Sequence, residues 1–97
     1  MRIISRKALK DFWRLHPDAE HSLRAWFQDV KHADWRTPAD VKTAYRNVSV
    51  VGRDRLVFNI KGNDYRLVAA VNYAYRIVYI RFVGTHEAYD EIDVRTV

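Results

Sequence analysis

Residues 55–68 read Arg-Leu-Val-Phe-Asn-Ile-Lys-Gly-Asn-Asp-Tyr-Arg-Leu-Val, and this stretch predicts a β-hairpin. Its first half alternates polar and apolar side chains, which is the period of a strand with one buried face. Gly62-Asn63 is a two-residue turn signal with glycine at the first central position, as a type II′ turn requires. The turn fixes the register, and the predicted cross-strand pairs are Lys61–Asp64, Ile60–Tyr65, Asn59–Arg66, Phe58–Leu67 and Val57–Val68.

This register sorts the hairpin into two faces. Leu56, Phe58 and Ile60 share an apolar face, which we expect to pack against helices. The opposite face, called the outer face below, is predicted to be open and basic. Its polar side chains are Arg55, Asn59, Lys61 and Arg66.

The N-terminal half carries helical patterns. Apolar residues recur at helical spacing over residues 5–16 and again over residues 17–30, with Ser5 as the expected cap of the first helix. Residues 37–40 combine a cap, a proline at the first helical position and an acid in the first turn, which predicts a short third helix. We therefore expect an α+β fold, with N-terminal helices packed on one face of a small antiparallel sheet.

The C-terminal part predicts one more strand and a short helix. The strand should cover residues 77–83 with Arg81 on the outer face, Gly84 should end it, and Thr85 should cap a helical turn that begins at His86. The strand residues expected to turn inward are Val78, Ile80 and Phe82.

Three side chains with useful chemistry should gather at one end of this sheet. They are a guanidinium, an imidazole and a phenol, from Arg81, His86 and Tyr89. A guanidinium binds phosphate through two parallel hydrogen bonds, an imidazole moves a proton near neutral pH, and an aromatic ring stacks on a base. This combination favours a site that acts on a phosphate-bearing polymer.

Composition narrows the class of protein further. A chain of 97 residues with 48% hydrophobic and 30% charged residues fits one folded domain over residues 1–97. A net charge of +5 indicates a negatively charged partner, such as nucleic acid, an anionic membrane or an acidic protein. The absence of cysteine excludes disulfides and thiolate chemistry, and the four histidines form no zinc pattern, so we expect no metal and no cofactor. Without an apolar run long enough for a membrane span or a signal peptide, a cytoplasmic location is expected.

Several segments, together with the order of the predicted elements, carry a family resemblance that covers nearly the whole chain. These segments are Phe58-Asn59, Lys61-Gly62-Asn63, Tyr65-Arg66-Leu67-Val68, Tyr79-Ile80-Arg81-Phe82-Val83-Gly84-Thr85-His86 and Tyr89-Asp90. The chain resembles the HigB-type toxins of the RelE/ParE superfamily. The resemblance implies a RelE-like fold and the toxin of a type II toxin–antitoxin pair. It also implies a ribosome-dependent mRNA endonuclease that enters the A site, and an antitoxin that often carries a helix-turn-helix domain.

RNA cleavage of this kind needs no metal when the 2′-hydroxyl of the RNA attacks the neighbouring phosphate. The reaction needs a base, positive charge on the transition state and an acid for the leaving oxygen. We expect His86 to move one of the protons, Arg66 and Arg81 to hold the phosphate, and Tyr89 to stack on a base or bond the phosphate. The additional RNA contacts expected on the outer face are Lys61, Asn59 and Arg55.

Other interpretations of the same residues stay open at this point. A ParE-like toxin shares the scaffold but acts on DNA gyrase without cutting RNA, and a non-catalytic RNA-binding module would leave His86 idle. His86 could serve only to start a helix, and Arg66 and Arg81 could form surface salt bridges with Asp64, Glu87 or Asp90. The expected partners are mRNA on the ribosome and the antitoxin, with the toxin alone a monomer.

Overall fold

The computed structural model describes all residues from 1 to 97 and contains five strands and four α-helices. The strands are β1 (Arg2–Ile4), β2 (Ser49–Val51), β3 (Arg55–Ile60), β4 (Tyr65–Asn72) and β5 (Ile77–Thr85). The helices are α1 (Arg6–Leu15), α2 (Glu20–His32), α3 (Pro38–Ala44) and α4 (His86–Asp90), with a 3₁₀ turn at Pro17–Ala19 between α1 and α2. The predicted α+β class is confirmed.

The five strands form one sheet in the order β1-β5-β4-β3-β2. Strands β2 to β5 are antiparallel to their neighbours, as predicted, while β1 adds a parallel edge beside β5. The sheet is therefore mixed. The parallel pair is possible because the helices and the other strands lie between β1 and β5 in the chain and carry it back to the same edge.

The core lies between the helices and the inner face of the sheet. The helices contribute Leu9 and Leu23, which are at most 1% exposed, together with Trp26. Trp26 packs edge-on against Phe58 of β3 at 5.4 Å between ring centres, and Trp35, between α2 and α3, stacks on Phe58 at 6.3 Å. These aromatic contacts hold the helices on the apolar face of the hairpin, as the alternation in β3 predicted.

The hairpin register agrees with the sequence prediction from Val57–Val68 to Ile60–Tyr65. The predicted next pair does not form, because Lys61 adopts a left-handed conformation with φ 52° and residues 61–64 become a four-residue loop. The loop is closed by the Asp64 N–H, which donates to the Lys61 carbonyl at 3.2 Å. Lys61 therefore leaves the strand before the turn.

A β-bulge in β5 changes which side chains face the core. Val68 pairs with Phe82 and Ala69 pairs with Ile80, so Arg81 is the extra residue. Beyond the bulge the side-chain parity reverses, and Phe82 lies on the outer face while Val83 packs against the core. The prediction that Phe82 turns inward is wrong, because strict alternation cannot anticipate an inserted residue.

Gly84 does not end the last strand. It is buried, pairs with Arg66 and is followed by one more strand residue, so the prediction of a glycine exit is wrong. A Cβ atom at this position would lie 2.5 Å from Cζ of Phe82, whose ring crosses the glycine. The glycine is thus required for the close approach of a ring and not for a turn.

Helices α1, α3 and α4 begin at the predicted residues, whereas the predicted second helix begins as the 3₁₀ turn at Pro17–Ala19 and becomes α-helical at Glu20, and not every cap forms as expected. Ser5 precedes α1 with φ 77° and makes no side-chain capping bond, which corrects the prediction for that residue. Thr37 and Asp40 form the complete capping box predicted for α3. Thr85 accepts a hydrogen bond from the Ala88 N–H at 3.2 Å and caps α4, as predicted.

The outer face is not open along its whole length, which corrects the sequence prediction. Val57, Val68 and Ala70 share this face with Arg66 in the register, yet each is at most 4% exposed. Helix α4 packs on β4 and β5, and Arg55 donates to the Val97 carbonyl at 3.1 Å. Helix α4 and the Val97 carbonyl therefore each cover part of the outer face.

Candidate active site

Helix α4 presents a histidine at the end of the sheet. The Thr85 cap fixes the first turn, so His86 leaves the end of β5 with its side chain 53% exposed. Its Nδ1 lies 3.2 Å from Oδ2 of Asp90, one helical turn further on. The Nε2 atom forms no ion pair within the protein. The carboxylate therefore lies beside one ring nitrogen, and the other nitrogen is left for proton transfer.

Arg66 reaches the same end of the sheet from β4. Its Nη1 donates to the carbonyls of Asn63 at 2.9 Å and Tyr65 at 3.2 Å, and its remaining donors make no hydrogen bond within the protein. The Cζ atom lies 6.0 Å from the centre of the Tyr89 ring on α4. Because its cross-strand partner is Gly84, no side chain on β5 stands directly opposite the guanidinium.

We call Arg66, His86, Tyr89 and Asp90 the α4 cluster. It joins a cation with free donors, an exposed imidazole and a half-buried phenol at one corner of the sheet. Asn59 lies opposite Arg66 on β3 and is exposed, as the register predicted. Such a cluster can neutralise a phosphate and move a proton beside it.

The arginines of the site do not form the surface salt bridges that sequence analysis left open. Neither Arg66 nor Arg81 is within 4.0 Å of a carboxylate oxygen, and the pairs formed in this region are His86–Asp90 and Lys61–Asp64. Their guanidinium charges are therefore available to an anion from outside the protein.

Arg81 lies apart from the α4 cluster. The bulge leaves it exposed, and its Cζ atom is 5.4 Å from the ring centre of Tyr79, an outer-face residue opposite Ala70. It borders an open groove of about 870 Å³ that also includes Arg53 and Tyr73. Arg81 is three residues before Gly84, or about 10 Å along the strand. Of the four predicted catalytic residues, the structure thus brings together Arg66, His86 and Tyr89 and leaves Arg81 apart.

Lys61 is directed toward the helices and not toward the outer face. Its ammonium is 2.8 Å from Oδ2 of Asp18, in the 3₁₀ turn, and 3.6 Å from Oδ2 of Asp64. The Tyr65 hydroxyl donates to the other Asp18 oxygen at 2.7 Å. The bond from Lys61 lowers the pKa of Asp18, and Asp18 in turn raises the pKa of both Lys61 and Tyr65. Lys61 therefore ties the β3–β4 loop to the helices.

Arg55 is the least accessible of the predicted RNA contacts. Its side chain is 15% exposed, and its two terminal nitrogens donate to Asp54 and to the Val97 carbonyl, both at 3.1 Å. The Nε atom is buried without a partner. The structure places Arg55 beneath the C-terminal segment, where it braces that segment against the sheet.

Comparison with known proteins adds an independent finding. The model of the HigB toxin family, described as the RelE-like toxic component of a toxin–antitoxin system, matches residues 19–92. The chain belongs to the HigB toxin family. The predicted family is confirmed, and a HigB-family toxin has a cognate antitoxin as its partner.

Two similar HigB proteins come from Escherichia coli. The mRNA interferase toxin HigB of strain K12 is 32% identical over 93 residues, which covers 93% of this chain and 88% of that protein. The mRNA interferase HigB of strain CFT073 is 26% identical over 94 residues, which covers 95% of this chain and 91% of that protein. The mRNA interferase HigB of Shigella flexneri is 32% identical over 93 residues, which covers 93% of this chain and 88% of that protein.

Sequence reasoning missed two residues of this HigB-family site. Asp90 is the partner of His86, and the spacing of four residues on a helix was a sufficient signal for that pair. Tyr79 is the partner of Arg81, and no sequence signal indicated it, because the bulge sets the direction of Arg81. No group of three or more potential ligands is placed to hold a metal ion, and none of the helices has the length and apolarity needed to cross a membrane.

Proposed function

We propose that this HigB-family toxin is an mRNA interferase, an endoribonuclease that cuts messenger RNA on the ribosome. The names of its relatives support the activity class. The observation that carries the proposal is the α4 cluster, in which the free donors of Arg66 and the accessible nitrogen of His86 share one corner of the sheet. A binding module needs the cation alone, whereas cleavage also needs the proton-transfer group.

The proposed reaction begins when the 2′-hydroxyl of the RNA attacks the adjacent phosphorus. The hydroxyl loses its proton, the bond to the 5′-oxygen breaks, and that oxygen takes up a proton, so the products carry a 2′,3′-cyclic phosphate and a 5′-hydroxyl. His86 transfers one of these two protons, with Asp90 holding its ring. Arg66 stabilises the charge that develops on the phosphate oxygens. Tyr89 stacks on a neighbouring base or bonds the phosphate.

The other predicted site residues take different parts in this proposal. Arg81 contacts the phosphate of a neighbouring nucleotide, because its position along β5 is separated from the α4 cluster. Asn59 stays a contact beside Arg66. Lys61 and Arg55 hold the loop and the C-terminal segment in place, since their donors are engaged by the protein itself.

The finer details of the target and of the antitoxin are proposed from the sequence resemblance to HigB-type toxins. We propose that the toxin acts as a monomer in the cytoplasm and enters the ribosomal A site. Its antitoxin is proposed to carry a helix-turn-helix domain. The exposed cations of the outer face support an RNA-rich target, because phosphate contacts dominate the affinity for nucleic acids.

Substituting His86 by glutamine tests the enzyme. Glutamine keeps hydrogen-bonding capacity but cannot transfer a proton near neutral pH. We expect His86→Gln to lower single-turnover cleavage on translating ribosomes by about 10²–10⁴-fold, with ribosome affinity nearly unchanged. Near-normal cleavage would return His86 to a structural role, and a 5′-phosphate product would show that water attacks in place of the 2′-hydroxyl.

A further inference from the structure

The outer face carries a second feature, beside the bulge in β5, to which the cleavage chemistry gives no role. It is the open groove of about 870 Å³ that Arg81 borders. We call it the bulge groove. Its walls come from the β2–β3 turn, the end of β4, the turn after β4, and β5, and the side chains used below are Arg53, Asn72, Tyr79 and Arg81. The groove has room for one nucleotide, since pockets for small ligands enclose about 300–1,000 Å³.

The bulge groove is positively charged. Arg53 and Arg81 are both exposed, and neither forms a salt bridge within the protein. Asp54 is the one acidic residue of the lining, and its carboxylate is 3.1 Å from a guanidinium nitrogen of Arg55, which offsets its charge. Two guanidinium groups are therefore available to an anion from outside, and phosphate suits their planar fork.

Tyr79 gives the bulge groove an aromatic surface. It lies on the outer face opposite the small residue Ala70, and its side chain is half-buried. The Arg81 Cζ atom is 5.4 Å from the centre of the Tyr79 ring. An aromatic ring and a guanidinium plane both stack on unpaired bases. Because a free phosphate or an acidic peptide gains little from such a surface, the pair favours a nucleotide as the ligand.

Asn72 supplies an oriented hydrogen-bond donor. Its Oδ1 accepts a bond from the Tyr75 N–H at 3.1 Å, which fixes the amide group beside the β4–β5 turn. The NH₂ group of the same amide is then the donor that Asn72 offers to the bulge groove. A donor held in one direction distinguishes bases by the acceptor atoms on their edges.

Strand β5 leads from the bulge groove to the α4 cluster. Tyr79, Arg81 and His86 follow one another along β5 and the start of α4. On the neighbouring strand, Ala70 of the groove is four residues from Arg66, or about 13 Å. An RNA strand that follows the sheet from the α4 cluster therefore reaches the groove with a nucleotide that flanks the cleaved bond.

We propose that the bulge groove binds a purine nucleotide of the messenger beside the cleavage site, and that Tyr79 and Asn72 determine the base preference there. The base stacks on Tyr79 and Arg81, the Asn72 amide donates to an acceptor on its edge, and Arg53 binds its phosphate. A purine is favoured because its larger ring system stacks more strongly. This inference rests on the proposed function, since it takes messenger RNA as the substrate.

Three variants remove the parts of the bulge groove one at a time. Tyr79→Leu removes the ring, Arg53→Met removes a charge, and Asn72→Asp keeps the acceptor for the Tyr75 N–H while replacing the NH₂ donor. The matched controls are Tyr75→Leu and Arg46→Met, which change an exposed tyrosine and an exposed arginine that do not line the groove. The melting temperature of each purified variant shows that it is folded.

Base preference is measured on ribosomes programmed with messages that carry each base in turn at every position beside the cut. We expect the wild type to prefer a purine at one flanking position, and Tyr79→Leu and Asn72→Asp to weaken that preference roughly tenfold. Arg53→Met should raise KM for all messages alike, with kcat within about twofold. Both controls should match the wild type. An unchanged preference in Tyr79→Leu and Asn72→Asp would overturn the proposal, as would an equal loss in Tyr75→Leu.

A second measurement needs no cleavage and separates the two possible sources of RNA. A photo-crosslinking amino acid replaces Tyr79 in the His86→Gln toxin, and its complex with programmed ribosomes is irradiated. We expect a crosslink to the messenger next to the A-site codon. A crosslink to ribosomal RNA alone would overturn the proposal and assign the groove to ribosome binding. A crosslink to the messenger together with no cleavage by the His86-containing toxin would support the groove and refute the proposed endonuclease.

Discussion

The two ends of the outer face use arginine in opposite ways. At the α4 end, Arg66 donates from one nitrogen to the carbonyls of Asn63 and Tyr65 and keeps its other donors free, with its Cζ atom 6.0 Å from the centre of the Tyr89 ring. At the far end, Arg55 gives both terminal nitrogens to Asp54 and Val97 and is 15% exposed. The two residues stand on one face of one hairpin. Whether an arginine serves a ligand or the fold is therefore decided by which of its donors the protein has already engaged.

The sharpest test of this comparison is Arg66→Met. Methionine keeps most of the side-chain stem and removes the guanidinium that we assign to the phosphate. We expect single-turnover cleavage to fall by about 10²–10³-fold, because one group that stabilises the transition-state charge is lost. The melting temperature should stay close to that of the wild type, since Arg66 makes only surface bonds to loop carbonyls. Toxicity that survives this change in a folded protein would remove Arg66 from the site.

A second test concerns the glycine that faces Arg66. In Gly84→Ala the new methyl group meets the ring of Phe82, with an ideal distance of 2.5 Å to Cζ. We expect a loss of about 1–3 kcal/mol in the free energy of unfolding, measured by urea denaturation, because the ring must leave a packed position. Adding Phe82→Ala should make the cost of Gly84→Ala much smaller, as contacting residues couple in a double-mutant cycle. Additive effects of the two changes would place the strain elsewhere.

The fold was largely predictable because its signals are local. Alternation in β3 and the Thr37 capping box each determine their own surroundings, and the structure agrees with them, whereas a four-residue loop replaces the predicted two-residue turn at Gly62-Asn63. The bulge at Arg81 was not predictable, because a bulge depends on how two strands are paired and not on the composition of either strand. The inverted side-chain parity of β5 follows from that single residue.

The candidate site was predictable in its residues but not in its arrangement. Sequence indicated His86, Tyr89 and Arg66 as chemical groups, and α4 brings them to one corner. It could not separate Arg66 from Arg55, because both occupy outward positions of one hairpin. The difference arises from the bond between Arg55 and the Val97 carbonyl, which is a tertiary contact without a local pattern.

Arg55→Met is the matched counterpart of Arg66→Met. We expect it to lower the free energy of unfolding by about 1–3 kcal/mol, because two hydrogen bonds to a half-buried charged group are lost. Cleavage per folded molecule should stay at the wild-type rate. Chemical denaturation measures the free energy of unfolding, and the cleavage rate divided by the concentration of active toxin measures the activity per folded molecule. An opposite pattern, with stability intact and cleavage reduced, would return Arg55 to the RNA-binding surface.

The smallest effect is expected at Asp18, which joins the helices to the loop that supports Arg66. The pKa of Asp18 is lowered from 3.8, chiefly by the Lys61 bond, so the stabilisation it provides is fully present above that value. It is lost as the pH falls through the lower pKa of the folded state. The difference in melting temperature between wild type and Asp18→Asn should therefore be constant at neutral pH and disappear in acid. Lys61→Met should reduce this pH dependence and leave the smaller part that comes from the Tyr65 hydroxyl. A pH dependence that is unchanged in Lys61→Met would mean that the Tyr65 hydroxyl, and not the ion pair, is the partner that matters.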